Sequence, residues 1–138
     1  MSDLLKRTTV TILTLEAAKA IADAAAAEGE ANGWKIGVAV VDAGANLLYF
    51  ARHEDATLAS INGATYKAET ALRFARTTAE MGASGRVHYY AFPRTLPVEG
   101  GVPIVVDGEL IGAIGIGGTT TAGSADLCAN AGLCVLRR

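Results

Sequence analysis

Apolar positions along the chain fall into runs of two periods, and the alternation between them predicts most of its elements. From Leu15 to about Gly29 the residues are strong helix formers, with Leu15, Ala18, Ala22 and Ala25 on one stripe and Ile21 beside it. Thr14 suits the N-cap, Glu16 suits the positive end of the helix dipole, and Asn32-Gly33 suits the exit. Lys35 to Asp42 is an apolar run bounded by turn residues, which predicts a buried strand. Asp42 to Asn46 reads as a turn, and Asn46 to Arg52 as the returning strand. A second helix is predicted from about Thr57 to Ala75, because Leu58, Ile61, Thr65, Ala68, Leu72 and Ala75 recur at steps of three and four. Lys67, Glu69, Arg73 and Arg76 lie mostly off that stripe. Thr8 to Ile12, short and β-branched, predicts a first edge strand.

The second half is dominated by Gly100 to Thr121. Two apolar runs, VPIVVD and ELIGAIGIG, meet at Asp107-Gly108, the chemistry of a tight hairpin whose central residues both take positive φ. Glycines recur at Gly112, Gly115, Gly117 and Gly118, and a strand that gives up side chains so often lets something approach its backbone. Ser124 is the expected N-cap of a last helix from about Ala125 to Leu136, with Asp126 in its first turn. Between the second helix and the hairpin, Thr77 to Glu99 shows no period but holds His88, Tyr89, Tyr90 and Phe92. So long an irregular stretch with that aromatic content is expected to pack over the body as a lid or wall. The order, helices between tight strand pairs, predicts an α+β layer arrangement with an antiparallel sheet of about five strands.

Composition narrows the function classes. The 138 residues suit a single domain, residues 1–138, with one hydrophobic core. A formal net charge of −2 gives no electrostatic reason to expect nucleic acid or an anionic membrane surface. No stretch has the pattern of a signal peptide or a membrane span. Cys128 and Cys134 lie on different faces of a helix, so they are expected to be unbridged thiols in a reducing cytoplasm. No group of His, Cys, Asp and Glu has zinc spacing, so no metal site is expected from one chain.

Three segments, VAVVDAGANLLYFAR, the helix around ATYKAETALRFARTT, and above all GGVPIVVDGELIGAIGIGG, resemble the GlcG/HbpS family. The resemblance runs from about Leu15 to Leu133. It implies a profilin-like α+β sandwich, helices flanking a central antiparallel sheet, and a homo-oligomer of up to eight copies. It also implies a small-molecule ligand: some members bind haem or related tetrapyrroles, some are extracellular sensors, and many belong to catabolic pathways. Two departures stand out. Members commonly follow the glycine strand with Ser and an acidic segment, whereas here Gly117 takes the Ser place and Asp126 alone keeps the acidic character. Members commonly carry Met-Asp where this chain has His53-Glu54.

Haem as cofactor would call on His53 and His88, the two histidines, as axial candidates, and on Arg86 and Arg94 for propionates. The plainer reading of either histidine is a packed or exposed loop residue. Gly117, Gly118 and Thr119 precede a helix N-terminus, where free N–H groups would stabilise a carboxylate or phosphate. Close packing between subunits explains the same glycines equally well. Lys67 and Glu69 are acid–base candidates alongside His88, or else exposed charges on a helix. Three functions are therefore carried forward. The leading one is an oligomeric binding protein for haem or a related planar anion. The second is a cofactor-independent isomerase, hydratase or lyase acting on a small oxo-acid or cyclic substrate. The third is an assembly domain.

Overall fold

In the computed structural model, which describes residues 2–137, the Asp107-Gly108 turn forms as expected, with φ of 51° and 77°. It joins β3 (Gly101–Val106) to β4 (Glu109–Gly117). The first hairpin joins β1 (Gly37–Asp42) to β2 (Leu47–Arg52). Its turn is pinned by Asp42 Oδ1, which accepts the N–H groups of Gly44 and Asn46 at 2.9 and 3.0 Å. β1 and β4 also pair, so the sheet is antiparallel throughout with order β2-β1-β4-β3. It has four strands, not about five. Residues Thr8 to Ile12 join no ladder: the Thr11 N–H is held at 3.2 Å by both carboxylate oxygens of Glu109. β-Branched composition favours extended backbone but supplies no partner strand.

Helices cover both faces. α1 (Leu15–Ala31) and α4 (Ser124–Leu133) lie on the face presenting Val38, Val40, Ile114 and Ile116. Ala18, Ile21, Ala22 and Ala25 are buried there as the α1 stripe predicts, while Leu15 stays half-exposed. Cys128 is fully buried in this layer and its thiol is pushed up to about 11 by desolvation. Cys134 is exposed in a 3₁₀ turn after α4, and both thiols are free. Gly123, with φ 80°, occupies the α4 cap position expected of Ser124, whose Oγ instead donates to the Thr121 carbonyl at 2.5 Å.

α2 (Ala59–Phe74) covers the other face; Ala68 and Leu72 of the predicted stripe are buried, and the helix departs from it in its first turns. Leu58 and Ile61 point outward, and Ser60, Ala64, Lys67, Ala68 and Ala71 point in. The cause is β4. Ala113, Gly115 and Gly117 share the strand face toward α2, opposite Ala39 and Val41. A Cβ on Gly115 would collide with the Ala64 carbonyl oxygen, and one on Gly117 would lie 2.6 Å from that of Ser60. Over Gly115 and Gly117 the helix therefore sits so close to the sheet that only small side chains fit between them, and Leu58 and Ile61 are turned away.

The segment read as aperiodic contains α3 (Thr78–Ala83) and a 3₁₀ turn, Val87–Ala91. Thr77 caps α3 by accepting the Glu80 N–H at 3.2 Å. The segment is tied to the body by Thr78, which donates to the Val98 carbonyl at 2.5 Å and accepts the Gly101 N–H at 2.8 Å. No helix among the described residues is long and apolar enough to cross a membrane.

Candidate functional site

α2 ends where Ala75 takes a left-handed conformation (φ 53°), which leaves Phe74 at the helix end facing the returning loop. Its ring meets Tyr89 and Phe92 edge-on, with centroids 5.2 and 5.4 Å apart, the geometry favoured by the ring quadrupoles. Two residues on, Arg94 has a positive φ of 60°, an uncommon backbone state that its surroundings hold in place. Its Nε and Nη2 bind the two oxygens of Glu69 at 2.9 and 2.7 Å, and its guanidinium lies 4.4 Å from the Tyr66 ring centroid. Thr70 fixes the backbone beside it by accepting the Leu96 N–H at 2.9 Å. The hydrogen bonds to Glu69 push the Arg94 guanidinium up from its already high pKa, so it is always charged. Between α2 and this loop opens a groove of about 470 Å³ lined by Arg73, Phe74, Phe92, Pro93, Arg94 and Thr95.

The histidines do not converge on it. His88 is exposed on the 3₁₀ turn, tilted against Tyr89 with centroids 4.6 Å apart, so one ring separates it from Phe74. His53 follows β2, and its Nδ1 accepts the Asp55 N–H at 3.0 Å. That leaves the imidazole proton on Nε2, which faces Glu30 Oε2 at 3.6 Å beside α1, on the opposite side of the sheet from α2. Arg86 is exposed and enters through its backbone, its N–H donating to Ser84 Oγ at 3.3 Å. Arg94 alone of the predicted ligand-binding residues lines the groove.

The other predicted site is built differently. Gly115 and Gly117 of β4 face α2 of the same chain, whereas the sequence suggests a ligand cradle or a subunit interface. The α4 N-terminus already holds a carboxylate: Glu99 accepts the N–H groups of Gly123 and Asp126 at 3.0 and 3.1 Å. Asp126 returns the contact by accepting the Gly100 N–H at 3.1 Å. Thr119 and Ser124 share a 2.8 Å hydroxyl contact. Lys67 and Glu69 are not the solvated charges of an exposed helix face, since each is only 7% exposed. The Lys67 ammonium donates to the Ile116 carbonyl at 2.9 Å. Burial pushes its pKa down, and Glu99 and Asp126 oppose that shift. Lys67, Glu69 and His88 thus have separate partners and form no shared acid–base constellation. Among the described residues no three His, Cys, Asp or Glu side chains group as a metal site.

Sequence reasoning missed three contributors. Arg73 lies off the apolar stripe and Phe74 carries no signal of its own, and only the position of the helix end makes them a groove wall. Glu99 gave no local signal, because its role is to cap a helix that begins 25 residues later in the chain.

Residues 13–134 match the family model described as haem degrading protein HbpS-like. Protein GlcG of Escherichia coli strain K12 is 38% identical over 111 residues, spanning 78% of this chain and 83% of GlcG. A double mutant of Streptomyces reticuli HbpS superposes with a TM-score of 0.90 at 33% identity, over 100% of this chain and 94% of that one. A PduOC–haem complex shares the fold at TM-score 0.84 and 23% identity, over 92% of this chain and 96% of that one. With a family model spanning nearly the whole sequence and relatives above 30% identity, the chain belongs to the HbpS-like family.

Proposed function

We propose that this protein binds a planar anionic ligand of the haem class in the groove between α2 and the Phe92–Thr95 loop, and does so as a homo-oligomer. The observation that carries the reading is the groove lining: two aromatic rings and a proline for a flat apolar ring, with the Arg73 guanidinium at its edge for a carboxylate. The family description and the haem complex of PduOC support the ligand class. Exposed Leu58, Ile61, Val87 and Tyr90 support an assembly that covers them.

The lining fits the periphery of a porphyrin. Phe74 and Phe92 would hold the ring and Arg73 would meet a propionate. Bound haem would supply an iron centre able to take an axial ligand or react with oxygen. The lining itself contains no usual iron donor, and both histidines lie outside it, so these residues fit the ring and a propionate but not the iron.

Titration with haem and with metal-free protoporphyrin IX, followed by the Soret band, tests the reading. Both ligands are expected to bind the wild type, and Phe92→Ala is expected to weaken both by about ten-fold. Absence of binding to the wild type, or binding indifferent to Phe92→Ala, contradicts the proposal.

A further inference from the structure

The groove holds two guanidinium groups, but only one is free to serve a ligand. Glu69 lies beneath the groove with its side chain 9% exposed, and both its oxygens are taken by Arg94. A ligand carboxylate that drew Arg94 away would leave that buried anion unpaired, a costly state. Tyr66 under the guanidinium and the left-handed backbone at residue 94 hold the pair further in place. Arg73 differs in its bonding and not in its exposure, since the two side chains are 46% and 45% exposed: its Nη1 is 3.9 Å from Glu69, an ion-pair distance too long for a hydrogen bond. The lining therefore carries two positive charges and the floor one negative charge, a net of one.

We propose that Glu69 sets the charge selectivity of this groove, so that it takes planar ligands offering a single carboxylate to Arg73, and a second carboxylate gains nothing there. This rests on the binding function proposed above and names the ligand class more narrowly. Glu69 acts through Arg94 and is a positioning residue.

Three probes with the same ring separate the effects: protoporphyrin IX, its monomethyl ester and its dimethyl ester. For the wild type, the free diacid and the monoester are expected to bind within about two-fold of each other, and the diester more weakly by about five-fold. Glu69→Gln keeps an acceptor for Arg94 and removes the negative charge. It is expected to shift the ratio of the two dissociation constants about five-fold in favour of the diacid. Arg73→Gln provides a second variant that leaves the buried pair intact. It is expected to erase the preference for the monoester over the diester. A wild type that already prefers the diacid strongly, or a Glu69→Gln ratio equal to that of the wild type, overturns this inference while the binding function stands. Failure of all three probes to bind the wild type overturns the binding function, and this inference with it.

Discussion

The glycine end of β4 and the groove beside Phe92 are both places where the chain makes room, but for opposite tenants. At Gly115 and Gly117 the space is filled by the backbone of α2. The nearby α4 N-terminus is filled by Glu99, and the Lys67 ammonium is spent on Ile116. No buried side-chain nitrogen or oxygen among the described residues there lacks a partner. At the groove, the helix has ended, the loop is irregular, and Phe92 and Arg73 remain half in solvent. A glycine-rich apolar strand thus marks where two backbones of one chain meet, whereas a binding surface is marked by rings and charges that folding leaves incompletely covered.

Breaking the comparison should give the largest effect at the glycines. Gly115→Ala places a Cβ into the Ala64 carbonyl, where neither backbone can yield cheaply. Urea unfolding is expected to show a loss of about 3 kcal/mol, at the upper end for overpacking. Phe92→Ala in the same assay is expected to cost less than about 1 kcal/mol, because half of the ring is already exposed in the fold. A tolerated Gly115→Ala would show that the seam can open and would return the glycine strand to the list of sites.

A smaller effect probes the carboxylate clasp at α4. Asp126 has its pKa raised by burial and by Glu99, against the opposing Gly100 N–H and Lys67. Between its ordinary value and the raised one, the folded chain holds a proton that the unfolded chain releases. That stability is fully present at low pH and is lost as pH rises through the folded-state pKa. Asp126→Asn, which keeps an acceptor for Gly100, is expected to remove this fall from the stability profile. A profile identical to that of the wild type would mean that Asp126 does not titrate differently on folding.

Much of the fold was legible because its signals are local. Asp107-Gly108 specifies its turn by φ alone, and Thr14 and the alanines of α1 specify a capped amphipathic helix. Where the outcome depended on distant chain, local pattern misled. The stripe of α2 holds at Ala68 and Leu72, which are buried, but misplaces Leu58 and Ile61, because Gly115 and Gly117 of β4, more than 50 residues on, bring the start of the helix too close to the sheet for large side chains. Thr8 to Ile12 has strand composition but no ladder partner. The aromatic loop was recognisable as a wall, and Arg94 as a charged residue within it. The pairing of Arg94 with Glu69 was not visible, since 25 residues and a helix end separate them.

The contrast between a sealed seam and an open groove is tested most directly by mapping backbone amides by NMR while metal-free protoporphyrin IX is added to the wild-type protein. The account predicts shifts concentrated at Arg73, Phe74, Phe92, Arg94 and Thr95, with Gly117 to Ser124 unmoved. Shifts concentrated at Gly117 to Ser124, with the groove unmoved, would contradict it.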